Sequence, residues 1–185
     1  MKATGIVRRI DDLGRVVIPK EIRRTMRIRE GDPLEIYTDR EGEVIFKKYS
    51  PIGELSAFAA QYAETLYKTC GLAVVITDRD AVIASAGVPR KEYADKSLSD
   101  ELESVIEGRG MYAYREGNDR MMAIADGGSH FVSVAMPIIS EGDVVGCVAS
   151  LCDRTGERAR DALSADVEAK LIMTAASFLG RQLEG

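Results

Sequence analysis

The stretch TGIVRRIDDLGRVVIP, residues 4–19, decides the fold of the first part of this chain. Gly5 to Ile10 and Arg15 to Ile18 are rich in β-branched residues and predict two short strands. Between them, Asp11-Asp12-Leu13-Gly14 is a turn signal. Pro19 predicts a helix start, since its missing N–H would have no partner in the first turn, and the helix is expected over Lys20 to Arg27.

The sequence that follows predicts a small, mainly β block. Glu30-Gly31-Asp32 breaks the chain, and Pro33–Thr38 and Glu43–Tyr49 predict two strands joined by a hairpin loop. A block of about 50 residues has too little core to stand alone without a disulfide, a metal or a partner. This block has no cysteine and no set of metal ligands, so we expect it to be an obligate dimer.

Charge separates this block, the head, from the rest of the chain. Nine Lys and Arg residues lie between Lys2 and Arg29 against three acids, which gives about +6, whereas the whole chain carries −5. Four of the cations (Lys20, Arg23, Arg24, Arg27) recur at helical spacing and form a stripe. A basic head on an acidic body indicates that the head meets a polyanion, most simply nucleic acid.

The body is predicted to begin at Ser50-Pro51, which gives domains at 1–50 and 51–185. Its pattern predicts a helix, a sheet with an inserted helix, and a closing helix. The first helix is expected from Ile52 to about Gly71, with a seam at Ile52, Leu55, Ala59, Tyr62 and Leu66. Strands are expected at 73–77, 81–86, 111–114, 121–125, 130–139 and 144–151, and helices at 97–106, capped by Ser97, and at 164–183. The last helix is expected to use Leu163, Val167, Leu171, Thr174 and Phe178 as its apolar face, and the charged segment 154–161 is either a loop or its first turn.

Composition excludes several classes. The hydrophobic fraction of 45% and the charged fraction of 30% are typical of a globular protein, and no run approaches the length of a membrane span. The N-terminus has no apolar core of a secretory signal. Three cysteines leave one unpaired in any disulfide scheme, which favours a reducing cytoplasm. One histidine and three cysteines offer few zinc ligands, and we expect no metal and no cofactor.

The head closely resembles the AbrB family of bacterial transition-state regulators. The resemblance runs through TGIVR, DLGRVVIP and EIRR, and continues in LEIY at 34–37 and VIFKKY at 44–49. It implies a swapped-hairpin β-barrel made by two chains. The full length resembles members from spore-forming bacteria in which a GAF-type sensor domain follows, and Met136-Pro137-Ile138 with Gly142-Asp143-Val144-Val145-Gly146 resembles the closing GAF hairpin.

The resemblance also implies which residues bind DNA. The family's DNA-contacting arginines correspond to Arg8, Arg15, Arg23 and Arg24, and Arg9 lies beside them as a further candidate. A guanidinium keeps its charge and can meet phosphate oxygens or a guanine edge with two hydrogen bonds. The alternative is that these arginines are an ordinary solvated surface.

Other residues are candidates for redox catalysis, nucleophilic catalysis or ligand binding. Cys147 and Cys152 lie five apart on a predicted strand, so their side chains face opposite sides of the sheet and favour core packing over redox catalysis. His130 has no nearby nucleophile in the sequence. Met111, Tyr112, Tyr114, Met121 and Met122 either line an apolar pocket or belong to the core, and the pattern leaves both open.

Together these patterns predict a cytoplasmic, non-enzymatic transcription regulator, and the resemblance implies that it acts on sporulation genes, both as activator and as repressor. Its expected partners are double-stranded promoter DNA, further copies of itself and an unknown small-molecule effector, with no membrane. We expect a homodimer through the head and a homotetramer through the first and last body helices. The alternative is an antitoxin-like DNA-binding protein with a protein partner, which the long, regular body disfavours.

Overall fold

The computed structural model describes residues 5–153 and 163–184. The chain forms two compact units, Met1–Tyr49 and Ser50–Gly185. The head, the first unit, contains helix α1 (Lys20–Thr25) and strands β1 (Leu34–Thr38) and β2 (Val44–Lys48). The two strands pair antiparallel, with Leu34 opposite Lys48. Their turn is fixed by the Asp39 carboxylate, which accepts hydrogen bonds from the backbone N–H groups of Glu41 and Glu43.

The predicted strands at 5–10 and 15–18 are wrong for a single chain. Both segments are extended, but neither belongs to a strand of the described structure. A backbone hydrogen bond from Asp11 N to Arg15 O, at 3.0 Å, joins the ends of the two segments. A strand needs a neighbouring ladder, and the described part of one chain supplies no such ladder here. Helix α1 is also shorter than predicted, because Arg27 takes a left-handed backbone with φ of 51°.

The body is a five-stranded sheet with helices on both faces. Its elements are α2 (Pro51–Glu54), α3 (Ser56–Cys70), β3 (Ala73–Thr77), β4 (Val82–Ala86), α4 (Arg90–Tyr93), α5 (Asp100–Gly108), β5 (Tyr112–Ala113), β6 (His130–Ser140), β7 (Asp143–Asp153) and α6 (Ala165–Gln182). The strands lie in the order β4-β3-β7-β6-β5, and each neighbouring pair is antiparallel.

Each face of the sheet has its own core, because side chains alternate along a strand. On β3, Val74 and Ile76 pack with α3 and α6, whereas Val75 packs on the opposite face. That opposite core is filled by large side chains without exposed surface, including Tyr93 and Leu102. Met121 and Tyr112 also pack into it, so these two candidates for a pocket lining belong to the core.

Three other element predictions need correction. The first body helix is two helices, since Ser50 caps α2 and the chain turns at Leu55 before α3 begins. The cap of α5 is Ser99 rather than Ser97, because Ser97 is held in an isolated β-bridge with Ala81. The predicted strand at 121–125 forms only isolated bridges. Gly71 ends α3 in a left-handed conformation, as predicted.

Helix α6 packs on a different face from the predicted one. Val167 and Phe178 remain 43% and 39% exposed, whereas the buried face is the set Glu168, Ile172, Ala175, Ala176, Leu179 and Gly180. Small residues on this face let the helix approach the sheet closely. A Cβ at Gly180 would lie 2.2 Å from the Ile139 carbonyl oxygen. The charged segment 154–161 lies outside the described residues.

Candidate nucleic-acid interface

Helix α1 presents two of the predicted arginines to solvent. Arg23 and Arg24 lie in its last turn, and no residue of the helix is buried. Cations at a helix C-terminus interact favourably with the helix dipole, as does Glu21 in the first turn. The short helix therefore holds two guanidinium groups on a surface that a second macromolecule can reach.

A carboxylate from the loop fixes the end of α1. Asp32 Oδ2 accepts a hydrogen bond from the backbone N–H of Arg29 at 2.7 Å and lies 3.5 Å from Lys48 Nζ. Lys48 Nζ also donates to the Arg27 carbonyl at 2.8 Å, so β2 is joined to the turn after the helix. Only 3% of the Asp32 side chain is exposed. These contacts orient α1, and with it Arg23 and Arg24, relative to the hairpin.

The other predicted arginines flank the turn at 11–14. Arg8 and Arg9 are exposed, and Arg8 Nη1 donates to the Val7 carbonyl at 3.3 Å. Arg15 is also exposed, but its Nε lies 2.8 Å from Asp11 Oδ2. The structure thus places Arg15 beside Asp11, whereas Arg23 and Arg24 form a separate pair on α1.

Asp11 was predicted as part of a turn and as one of the acids of the head, but not as a partner of Arg15. Its Oδ1 accepts from the backbone N–H groups of Leu13 and Arg15 at 3.0 and 2.7 Å. The backbone hydrogen bond from Arg15, with its side-chain bond, lowers the pKa of the Asp11 carboxyl below 3.8. An aspartate that opens a turn four residues before an arginine is the signal that could have found this contact.

The head leaves its apolar side chains in solvent. No residue from Gly5 to Tyr49, all of which are described, is buried as a whole. Val7, Leu13 and Val17 are 84%, 70% and 70% exposed. Further large apolar side chains of the head are exposed at Ile6, Ile10, Val16, Met26, Ile36, Tyr37, Val44, Ile45, Phe46 and Tyr49. A single head therefore lacks a hydrophobic core.

The body carries a partly exposed aromatic cluster contributed by α3 and α6. The Tyr62 and Phe178 rings are 5.5 Å apart, and Phe58 stands 5.9 Å from Phe178. Val167 is 43% exposed and lies on the same stripe of α6 as Phe178, about three turns earlier. These four residues, the aromatic ridge, are a partly exposed apolar surface, and Phe58 and Tyr62 also pack against the core on this face of the sheet.

The cysteine and histidine candidates show no arrangement for nucleophilic chemistry. Cys147 is fully buried, and desolvation raises the pKa of its thiol to about 12, so the thiol keeps its proton at neutral pH. His130 Nδ1 lies 2.8 Å from Ser129 Oγ, but that hydroxyl donates its proton to Glu92 Oε2. A serine whose proton points to a carboxylate is not activated by the imidazole.

The body also has an open groove of about 300 Å³ between β6 and α6. Its lining residues are Met136, Pro137, Ile139, Ala176, Ser177, Arg181 and Glu184. Glu184 Oε1 accepts from the Glu141 backbone N–H at 3.0 Å and so closes one end of the groove. Within the described ranges, none of the helices has the length and apolarity needed to cross a membrane.

Comparison with known proteins matches both parts of the chain. Residues 54–184, more than half of it, match the family model described as stage V sporulation protein T C-terminal, transcription factor. Residues 7–53 match the model described as antidote-toxin recognition MazE, bacterial antitoxin. Stage V sporulation protein T of Bacillus subtilis strain 168 is 50% identical over 186 residues, covering 100% of this chain and 99% of its own.

Two further similarities concern one part each. The transition state regulatory protein AbrB of the same organism is 65% identical over 51 residues, which are 28% of this chain and 52% of AbrB. A crystal structure of the blue-light absorbing form of the Thermosynechococcus elongatus PixJ GAF domain matches 72% of this chain and 87% of its own, with a TM-score of 0.53 at 13% identity. The similarity to the PixJ GAF domain concerns the fold alone.

These features define a two-part transcription factor, with an AbrB-like head and a body of GAF fold, as predicted. The chain belongs to the stage V sporulation protein T family.

Proposed function

We propose that this protein binds promoter DNA and regulates the transcription of sporulation genes, both as activator and as repressor. The observation that carries the proposal is the set of exposed arginines within residues 1–29, a segment of about +6, whereas the remaining residues carry about −11. Membership of a transcription-factor family and 65% identity of the head to AbrB support it. The residues proposed to contact DNA are Arg8, Arg9, Arg15, Arg23 and Arg24.

The head acts as a homodimer in this proposal. Thirteen exposed large apolar side chains on one small unit support it, because a second copy can bury them. The extended segments at 5–10 and 15–18 would find their strand neighbours in the partner chain. Two-fold symmetry then doubles every arginine contact and gives the DNA site a matching symmetry.

The body self-associates through α3 and α6, and with the head dimer this gives a homotetramer. The aromatic ridge supports the proposal, since apolar side chains that keep part of their surface in solvent favour burial against a partner. We place the domain boundary at Ser50-Pro51, where Ser50 caps the first body helix. We further propose that the body senses an unknown small molecule and is not an enzyme.

The experiment compares two double variants of equal charge. Arg23→Ala with Arg24→Ala removes two cations from the head, and Arg90→Ala with Lys91→Ala removes two exposed cations from the body. The probe is a duplex enriched from a random pool by the unchanged protein, and binding is followed by fluorescence anisotropy. We expect the head variant to lose affinity about 100-fold or more and to show a shallower salt dependence, and the body variant to bind normally.

Undiminished binding by the head variant at physiological ionic strength would reject the proposed interface. An equal loss in both variants would show that only net charge matters.

The antitoxin-like alternative is favoured by one observation, the MazE match of residues 7–53. It predicts that a second protein co-purifies with the chain in fixed proportion. Mass spectrometry of the protein purified from its native host distinguishes the two functions. A stoichiometric second protein would support the alternative, and DNA binding without such a protein would support the regulator.

A further inference from the structure

Asp11 uses both carboxylate oxygens to hold Arg15. Oδ1 accepts from the Arg15 backbone N–H at 2.7 Å, and Oδ2 accepts from the Arg15 side-chain Nε at 2.8 Å. The same Oδ1 accepts from Leu13 N–H at 3.0 Å, and Gly14 supplies the positive φ that the turn requires. One acid therefore fixes the turn, the backbone N–H of Arg15 and the Nε atom of its side chain.

The contact leaves the outer part of the guanidinium available. It uses Nε, and 70% of the Arg15 side chain is exposed, so both Nη nitrogens can meet a further acceptor. The two Nη groups form a planar fork that matches phosphate oxygens or a guanine edge. An arginine held in this way loses less conformational freedom when it binds DNA.

The charge of Asp11 acts in the opposite direction. Its pKa is lowered, chiefly by the hydrogen bond from the Arg15 backbone, so the carboxylate is ionised at neutral pH. A carboxylate beside a phosphate-binding group repels every duplex alike, whatever its sequence. Only a duplex that gives Arg15 its full contact offsets this repulsion. An element that penalises the wrong partner raises specificity.

We propose that Asp11 is a positioning residue that orients Arg15 and raises the ratio of specific to non-specific DNA binding. The proposal rests on the proposed function, since it requires that Arg15 contacts DNA. It adds that an acid within the basic head is part of the recognition surface.

The test uses two neutralising variants of adjacent exposed acids. Asp11→Asn keeps the Oδ1 acceptor for the turn and removes the charge that holds Arg15, whereas Asp12→Asn makes the same change of charge one residue further on. Affinity is measured for the enriched duplex and for a random duplex of equal length. We expect both variants to bind the random duplex about three- to tenfold more tightly, because one repulsive charge is lost.

The ratio of the two affinities separates the variants. Asp12→Asn should leave the ratio unchanged, and Asp11→Asn should lower it about tenfold. In an Arg15→Ala background, Asp11→Asn should no longer change the ratio, because the group that it positions is absent. An unchanged ratio in Asp11→Asn, or the same change with and without Arg15, would overturn the proposal.

A second measurement uses the wild-type protein, so it does not require any variant to fold. In the free wild-type protein, NMR of arginine side chains should show a slowly exchanging Arg15 Nε–H and rapidly exchanging ones at Arg23 and Arg24. Equal exchange at all three would also reject the proposal. If the wild-type protein does not prefer the enriched duplex at all, it is the proposed function that fails.

Discussion

At the scale of the residue, Gly180 lies where α6 crosses β6. Ala is the better helix former by about 1 kcal/mol, but a Cβ here would lie 2.2 Å from the Ile139 carbonyl oxygen. The contact is with backbone, so the helix or the strand must move, and overpacking of this kind costs about 1–3 kcal/mol or more.

We therefore expect Gly180→Ala to lower the free energy of unfolding by about 2 kcal/mol, measured by chemical denaturation. Gly108→Ala, at the end of α5 with no atom within 4 Å of its Cβ, is the matched control and should be neutral or slightly stabilising. Equal stability of the two variants would contradict the close approach of α6 to β6.

Residue types predicted part of the candidate interface. Arg23 and Arg24 follow from their spacing and from the surrounding charge, because an exposed cation needs no tertiary contact to be recognised. The Asp11–Arg15 pair did not follow, since it depends on how a turn folds back on itself. Cys147 was correctly interpreted as a buried hydrophobe. Its spacing from Cys152 was enough to disfavour a redox pair, because it places the two side chains on opposite faces of the sheet.

At the scale of the element, Ser99 fixes the start of α5. Its Oγ accepts from Leu102 N–H at 3.1 Å and donates to the Met122 carbonyl at 2.6 Å, and the residue is buried. Ser99→Ala removes a helix cap and leaves a carbonyl without its donor, so we expect a loss of about 1–2 kcal/mol in thermal or chemical unfolding.

The control for this prediction is Ser164→Ala at the start of α6. That cap is exposed and its hydrogen bond to Val167 N–H is 3.4 Å long, so we expect a loss of about 0.5 kcal/mol or less. A larger effect at Ser164 than at Ser99 would refute the assignment of Ser99 as the stronger cap.

An ion pair joins the chain before α5 to the loop at 126–129. Lys96 Nζ lies 2.8 Å from Asp126 Oδ2; this bond lowers the pKa of the Asp126 carboxyl below 3.8 and raises that of Lys96 above 10.5. The ion pair makes its full contribution to stability at pH values between 3.8 and 10.5. It is lost as pH falls through the lowered pKa, and again as pH rises through the raised one.

The measurement compares melting temperatures of the wild type and Asp126→Asn across pH. We expect a small difference at neutral pH, because the pair is exposed and screened by salt. The difference should vanish below the Asp126 pKa, where the carboxyl is neutral in both proteins. A difference that persists after the Asp126 carboxyl is protonated would assign it to another cause.

Elements were predicted best where they pack within one chain. Strands β3, β6 and β7 follow from apolar runs, since both their faces are buried by helices. The segments at 5–10 and 15–18 failed as strands because strand formation depends on a neighbour that one chain does not provide. The predicted buried face of α6 was wrong because the helix has two apolar stripes. The stripe with small residues is the one that packs on the sheet, because small residues allow a closer approach than large ones.

At the scale of the whole molecule, we expect the aromatic ridge to decide the size of the assembly. Val167→Glu places a charge on the exposed apolar surface of α6, and light scattering should then report a dimer, held by the heads, in place of a tetramer of 20.2 kDa chains. Ser104→Glu, which adds the same charge to the exposed surface of α5, should leave the tetramer intact.

A clean dimer for the wild-type protein would refute the tetramer. Loss of the tetramer in Ser104→Glu as well would assign the effect to net charge rather than to the ridge.

The two-part plan of the molecule followed from the sequence because charge changes sign along the chain. The identity of an effector did not follow, since a GAF fold is shared by proteins of little sequence similarity and a site depends on which side chains fill the interior. Here Tyr93 and Leu102 fill one side of the sheet, which only the packed structure reveals.

A head with no apolar core has a consequence for the order in which the protein matures. The head leaves the ribosome first, yet one copy has no interior around which to collapse. The body has two cores of its own and can fold once its synthesis is complete. If the head dimerises as proposed, the part made first is finished last, after a second chain has arrived.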